Sequence, residues 1–346
     1  MRLFSAALLA AAFAAPAAHP CTRILHETGQ DDFLVGRSMD WSEDTRTDLW
    51  VFPRGMARDG GTSENPEQWT SRYGSVVASI YDIASVDGMN EAGLVANALY
   101  LAEADYGTEA RAGQPGMLIG AWLQYVLDNF STVEEAVAAM EADDLRVVAP
   151  RLPNGKAATG HVSISDPGGD SAIFEYADGK LVIHHSPDYR VMTNSPTYDR
   201  QLAIMGYWSE IGGFTMLPGT NRAADRFARA AFYNSAVPTF EDHQTAVAAV
   251  LSMVRAVSVP YGLADPERPD LSSTQWRVLA DKTNRRYFFD SALSPSLFWV
   301  DMDRLDFAED APVMKLKLNE GAILAGESSA AFVEAAPFDW VAAGSE

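Results

Sequence analysis

From residue 22 onward, apolar and polar residues alternate in short runs with the two-residue period of half-buried strands. Runs at 22–28, 33–41 and 49–53 carry this pattern, and Gly29-Gln30-Asp31-Asp32 joins the first two as a hairpin connection. Residues 54–70 are polar and rich in Gly and Pro, which predicts a surface loop. Strands resume at 73–80 and 83–87, and Asp87-Gly88-Met89-Asn90-Glu91-Ala92-Gly93 reads as a turn into a strand over 94–100. The period then lengthens. Segments 115–129 and 132–142 space their apolar residues as helices do, the second opened by Ser131 with Glu134 as a capping box. Four strands follow at 160–166, 172–176, 181–185 and 191–193, punctuated by Asp166-Pro167-Gly168-Gly169 and Asp178-Gly179. Helical spacing returns over 222–235 and 240–257, and the chain closes on strands at 273–281, 286–290, 297–301 and 313–317.

Strand clusters separated by helix pairs fit an α+β arrangement: two packed, mainly antiparallel sheets with helices on their outer faces. No short-period repeat and no linker divides the chain, so residues 21–346 are expected to form a single domain. A chain of 346 residues with 47% apolar residues can bury a large core. Its net charge of −21 argues against nucleic acid or an anionic membrane as partner.

The first twenty residues break the pattern. Arg2, the apolar stretch 3–15 and the small residues after it form the layout of a signal peptide, too short to span a bilayer. Ala15-Pro16-Ala17 fits an A-x-A cleavage site, leaving Ala18-His19-Pro20 as a short pro-segment ahead of Cys21. No later segment is long and apolar enough to span, so the expectation is a periplasmic or secreted protein without a membrane anchor.

Cys21 is the chain's only cysteine, and an unpaired thiol in an oxidising compartment marks a reactive one. Removing everything before it would free an α-amine. With a thiol pKa of about 8.5 and an amine pKa of about 7.7–8.0, passing the proton between them costs only about 1 kcal/mol. An N-terminal residue activated by its own amine is an established nucleophile. Two alternatives compete. A lipid-anchored cysteine on a binding protein without turnover would also follow a signal peptide, although Ala18 and Pro20 suit that signal poorly. A buried, inert thiol is the ordinary fate of a lone cysteine.

A thiol attacking an amide needs positive charge, a clamp on the α-amine and donors for the oxyanion. In Gly36-Arg37-Ser38-Met39-Asp40-Trp41, Arg37 can supply the charge and Asp40 the clamp. Strand alternation would set these two on opposite faces, so a bend, bulge or strand end is expected between them. A Cys–His enzyme would instead need His26, His161 or His243 beside Cys21. His184 and His185 are neighbours on a strand, face opposite ways and do not easily share a metal. Trp41, Trp50, Trp69, Tyr81 and Tyr100 are candidates to line an apolar acyl pocket.

Several fragments resemble the choloylglycine hydrolase family, which includes penicillin V acylases and conjugated bile-salt hydrolases. They are Cys21-Thr22-Arg23, Gly36-Arg37-Ser38-Met39-Asp40, Asp87-Gly88-Met89-Asn90-Glu91-Ala92-Gly93-Leu94 and Thr193-Asn194-Ser195-Pro196-Thr197. Leu217-Pro218-Gly219, Asp225-Arg226-Phe227 and Ser273-Thr274-Gln275-Trp276 complete the set, which runs in order from Cys21 to about Trp299. The resemblance implies an N-terminal-nucleophile (Ntn) hydrolase with an αββα sandwich, no cofactor and no metal, acting on a small-molecule N-acyl amide. It implies Cys21 as nucleophile and Arg37, Asp40, Asn194 and Arg226 lining the site, with Asn194 giving its side-chain N–H₂ to the oxyanion. Met39, Trp41, Tyr81 and Tyr100 are the expected substrate contacts.

Tyr100 stands where bile-salt hydrolases carry asparagine, which resembles the penicillin acylases and leaves its backbone N–H for the oxyanion. The segment between Asn194 and Pro218 is shorter than in the Gram-positive bile-salt enzymes. That puts their tetramer interface in doubt, leaves a homo-oligomer open and points to the Gram-negative exported branch, which includes quorum-quenching N-acyl homoserine lactone acylases. The expected reaction is hydrolysis of penicillin V or an N-acyl homoserine lactone through a Cys21 thioester. Conjugated bile-salt hydrolysis is the alternative.

Overall fold

Strands Thr22–Glu27 and Phe33–Trp41 pair antiparallel, Thr22 opposite Ser38 and Arg23 opposite Arg37, and set the pattern for the whole molecule. Both are buried almost throughout, so each face must find its own partner layer. The computed structural model describes residues 21–142, 144–263, 272–318 and 320–340. The signal peptide and pro-segment expected over residues 1–20 lie outside the described residues.

These two strands belong to a seven-stranded sheet, flanked on one side by Val191–Met192 and on the other by Ser273–Asp281, Arg286–Ser291, Phe298–Asp301 and Gly326–Glu327. A nine-stranded sheet lies against it. Its central strands are Gly160–Ser165, Val95–Tyr100, Ala84–Asn90, Ser75–Ile80 and Leu49–Phe52, all antiparallel. Helices α1 (Ile119–Asn129) and α2 (Val133–Met140) cover the nine-stranded sheet, while α3 (Tyr198–Ile211), α4 (Ala223–Ala236) and α5 (His243–Ala256) lie outside the seven-stranded one. The result is an αββα sandwich, the fold expected from the alternation of strand clusters and helix pairs.

Two apolar cores hold the layers. One fills the space between the sheets and under α4 and α5. The other lies between the nine-stranded sheet and the α1–α2 pair, where Trp122, Leu123, Val126 and Leu127 are fully buried. Each such side chain contributes about 1.5–3 kcal/mol by leaving water. Close approach of α5 requires Gly36, because a Cβ there would lie 2.5 Å from Val254 and 2.9 Å from Val250.

Local structure departs from the sequence pattern in five places. The expected loop at 54–70 contains a short hairpin, Ala57–Asp59 with Gln68–Thr70, two three-residue strands too short to show a period. Asp87–Asn90 is the end of a strand rather than a turn. The chain reverses at residues 91–93, where Gly93 takes φ +87° and the Asn90 carboxamide oxygen accepts from Ala92 N and Leu94 N. Residues 116–118 pair in parallel with Arg146–Val148, so the helix expected from 115 begins at Ile119. The α2 cap is shifted by one residue: Thr132 accepts from Glu135 N, and the Glu135 carboxylate reaches back to Ser131 N at 2.9 Å. The whole of α3 was unexpected, because it buries only Tyr198 and Gln201 and so shows no apolar stripe.

Candidate active site

Arg23 and Leu25 point into the space between the sheets, and strand alternation carries Cys21 to the same face. Cys21 is 2% exposed, and its thiol lies 4.0 Å from Met39 Sδ and 3.5 Å from the backbone nitrogen of Asp40. Arg37 and Met39 share this inter-sheet face. Ser38 and Asp40 take the other, where Ser38 Oγ accepts from Thr22 N at 3.2 Å and donates to Asp40 Oδ2 at 3.2 Å. Arg37 and Asp40 therefore do stay on opposite faces. The bend, bulge or strand end expected between them is absent from Phe33–Trp41, which runs unbroken; the irregularity is instead a bulge in the neighbouring strand, where Thr274 faces Asp40, Trp276 faces Met39 and Gln275 is left over. Cys21, immediately ahead of the strand Thr22–Glu27, is flanked from both sides.

On the inter-sheet side the Arg37 guanidinium donates to Ala98 O at 3.0 Å, lies 3.8 Å from Asp87 of the opposite sheet and sits 4.6 Å from the Trp276 ring. Asp87 also accepts from Tyr287 Oη at 2.6 Å and Asn97 Nδ2 at 2.8 Å. Burial pushes the Asp87 carboxyl up to about 6 against the pull of Arg37. Burial likewise raises the Cys21 thiol, with Arg37 the strongest opposing influence.

On the helix side Arg226 of α4 donates to Cys21 O at 2.6 Å, to Thr22 Oγ1 at 2.5 Å and to Asn194 Oδ1 at 3.0 Å. Asn194 Oδ1 also accepts from the backbone nitrogen of Cys21, and Asn194 Nδ2 donates to Tyr100 O at 2.7 Å. Two donors converging on one oxygen fix which way this carboxamide points. Asp40 accepts from the Ser38 and Thr274 hydroxyls, and burial raises it to about 6 although Arg226 opposes the shift. Burial also lowers Arg226 to about 10. The unexpected α3 holds this group in place: Gln201 Nε2 donates to Asn194 O at 2.8 Å and to Thr193 Oγ1 at 3.1 Å. Nothing in the sequence marked Gln201, and α3 had no visible pattern to lead there.

A cleft opens from Cys21, Arg37 and Met39 past Trp41 and Tyr100 toward Leu118, about 850 Å³ including its mouth. The Trp41 and Tyr100 rings meet edge to face, 6.1 Å between centroids. Three other aromatic candidates lie elsewhere. Tyr81 stands behind Trp41, accepting from its indole N–H at 2.8 Å and donating to Glu43, because a left-handed turn at Tyr81 and Asp82 carries it away from the cleft. Trp50 and Trp69 belong to the second core, their indoles donating to Asp82 at 3.0 Å and Asp128 at 2.8 Å.

The histidines are engaged away from the thiol: His26 with Asn234 at 2.9 Å and His243 with Asp281 at 2.6 Å. His161 does line the cleft, with Nδ1 2.7 Å from Glu175 and Nε2 buried without a partner. Burial would raise Glu175, but the hydrogen-bonded His161 and His184, whose Nε2 lies 3.4 Å away, outweigh it and hold the carboxyl at about 2. His185 pairs separately with Asp170 at 2.7 Å. Among the described residues, no group of three or more His, Cys, Asp or Glu is placed to hold a metal ion.

The arrangement is one buried thiol at the foot of an apolar cleft, with an arginine on one side, a carboxyl on the other and an amide pinned across its backbone. The chain belongs to the choloylglycine hydrolase family of linear amide C–N hydrolases, whose family model matches residues 21–315. It is an amidohydrolase acting on linear amides. Among individual proteins, it is 45% identical to a penicillin V acylase of Pectobacterium atrosepticum, with 92% of each chain covered. It is 49% identical to the structure of a penicillin V acylase from Agrobacterium tumefaciens, with a TM-score of 0.85 over 93% of this chain and 100% of that one. A bile salt hydrolase/transferase of Clostridium perfringens is 29% identical, covering 63% of this chain and 72% of its own. A conjugated bile acid hydrolase structure from Clostridium perfringens, 23% identical with a TM-score of 0.74 over 88% of this chain and 99% of that one, shares the fold.

Proposed function

We propose that the protein is an acylase of the penicillin V type, in which Cys21, once its nitrogen is freed, attacks the substrate's acyl carbonyl. The observation that carries this is the grip on Cys21. Its thiol faces the cleft while its nitrogen and carbonyl are held by Asn194 and Arg226, residues distant in sequence. While Cys21 follows Pro20 its nitrogen is an amide and no base, so removal of the preceding residues switches the enzyme on. Residues 1–20 serve as export signal and pro-segment, which makes the mature enzyme periplasmic or secreted.

In the reaction the freed α-amine takes the thiol proton and the thiolate forms a C–S bond to the acyl carbon. Arg37 favours the thiolate, and Asp40 steadies the resulting ammonium. The tetrahedral oxyanion takes donors from the second amide hydrogen of Asn194 and from Tyr100 N–H. Collapse breaks the C–N bond, and the α-ammonium returns its proton to the departing amine. Water then attacks the thioester with the α-amine as base, releasing the acid and restoring the thiol.

The Trp41–Tyr100 pair and the apolar lining of the cleft suit a flat phenoxyacetyl group or an alkyl chain better than a rigid steroid. Penicillin V and medium-to-long N-acyl homoserine lactones are the proposed substrates, the latter a quorum-quenching activity, and conjugated bile salts are poor ones. The test is intact mass of the purified protein together with kcat/KM for penicillin V and glycocholate. The expected result is a chain beginning at Cys21 that prefers penicillin V and a Cys21→Ala variant that folds without turnover. A heavier, acylated Cys21, or near-normal activity in Cys21→Ala, would remove the nucleophile assignment.

A further inference from the structure

The family model ends at residue 315, yet the cleft has a wall made by a residue well past that point, Trp340. The tail reaches there along a fixed path. Val333–Glu334 adds to the edge of the nine-stranded sheet beside Met314–Leu316, and Ala335 N donates to Val313 O at 3.0 Å. Phe338 then packs edge to face on Trp50 and Phe52, with centroids 5.2 Å and 5.7 Å away.

Trp340 itself is held from three sides. Its indole donates to Asp59 O at 3.0 Å, Phe338 meets its ring at 5.2 Å and the Arg58 guanidinium lies 5.8 Å from its centroid. Gly61 makes the approach close. At φ +76° a Cβ there would sit 2.8 Å from Leu118 Cδ1 and 2.9 Å from Trp340 Cβ, so only glycine leaves this space open.

The position of this wall decides its role. Cys21, Arg37 and Met39 form the end of the cleft in the inter-sheet core, whereas Trp340 and Ile119 pack on the second core beyond the nine-stranded sheet. Trp340 therefore stands at the end away from the thiol, where a bound acyl chain would finish.

We propose that Trp340 is a specificity-determining residue that sets the greatest acyl length the enzyme accepts. The inference rests on the acylase reading above and deepens it to a substrate class: N-acyl amides with unbranched tails that end against the indole. Its test is kcat/KM for an N-acyl homoserine lactone series from butanoyl to tetradecanoyl, on the wild type, Trp340→Ala and Trp340→Phe. In the wild type the value climbs about fourfold per methylene and then levels where the tail meets Trp340.

Trp340→Ala should leave the short substrates unchanged and move the plateau by about two carbons or more, since the removed indole opens that much more apolar length. Trp340→Phe should fall between and keeps an aromatic ring against Phe338 should the alanine variant fail to fold. A plateau unmoved in both variants, or a loss of activity equal at every chain length, overturns the role of Trp340 while leaving the acylase reading intact. A wild type that shows no dependence on chain length overturns both.

Discussion

On its inter-sheet face the strand Phe33–Trp41 presents Arg37 to the cleft, and on its other face it turns Asp40 toward α4. Both are fully buried ionisable groups beside the same thiol, but their surroundings differ. Arg37 has a carboxylate counterpart, Asp87, and that carboxylate is itself held by Tyr287 and Asn97. The group crosses from one sheet to the other and so joins them as well as supplying positive charge. Asp40 is hydrogen-bonded by two hydroxyls, those of Ser38 and Thr274. Neutral donors offset less of the burial cost of a carboxylate than a cation does. The inter-sheet face thus sets its cation beside a carboxylate, whereas on the helix face Arg226 holds Asp40 down only from a distance, its donors going to Cys21 O, Thr22 Oγ1 and Asn194 Oδ1. That leaves Asp40 suited to one more cation, and the α-ammonium of a freed Cys21 is the one the proposed mechanism supplies.

The contrast breaks most sharply at Asp40. Asp40→Asn keeps the shape and removes the charge, and kcat should fall roughly 10³-fold or more, on the scale of other orienting carboxylates. A rate within tenfold of wild type would make Asp40 a packing residue. Arg37→Met should act on stability as well as rate. It leaves Asp87 buried without its cation, at a cost of about 3–5 kcal/mol in denaturant unfolding. Arg37→Met combined with Asp87→Asn should recover most of that stability but not the activity. Failure of the double variant to recover would show that the two groups do not act as a pair.

Asn194→Ala should lower kcat roughly 10²–10³-fold with little change in KM, through loss of an oxyanion donor. A rise in KM alone would make Asn194 a ground-state binding residue. The smallest effect is the dependence on pH. Asp40 is raised to about 6 while the Cys21 nitrogen is uncharged, and an α-ammonium beside it draws the carboxyl down, so kcat/KM should drop about tenfold per pH unit below a midpoint no higher than about 6, as the carboxyl becomes neutral and releases the ammonium. Stability moves the other way. Asp40 and Asp87 shift from an ordinary 3.8 to about 6 on folding, so between those values the folded state holds protons that the unfolded chain has lost. Their joint contribution therefore weakens as pH rises from about 4 to about 6. A flat profile of kcat/KM across this window would separate Asp40 from the chemistry.

By itself the sequence determined the layers. Period-two runs place nearly every long strand, and helical spacing places α1, α2, α4 and α5, because burying one face of an element imposes its period on the chain. It also singled out Cys21, since a lone thiol behind a stretch that reads as an export signal is chemically conspicuous. The motif fragments led to Arg37, Asp40, Asn194, Arg226 and Tyr100, all of which the fold gathers around Cys21.

Only the tertiary structure decided how they meet. The bulge that adjusts Asp40 lies in a strand more than two hundred residues later, invisible to alternation read along one segment. Asp87, read as part of a turn, became the counter-ion of Arg37 because a neighbouring sheet brought it there. Tyr81, Trp50 and Trp69 look the same as Trp41 in sequence. Which aromatic faces the cleft depends on a left-handed turn and on which side of a sheet each falls. Helix α3 left no signal because it buries only Tyr198 and Gln201 and so carries no apolar stripe, and Trp340 none because a tail's destination is not written in its periodicity. Periodicity records that a residue is buried, whereas the partner it is buried against is a long-range fact that closes only when the sheets stack.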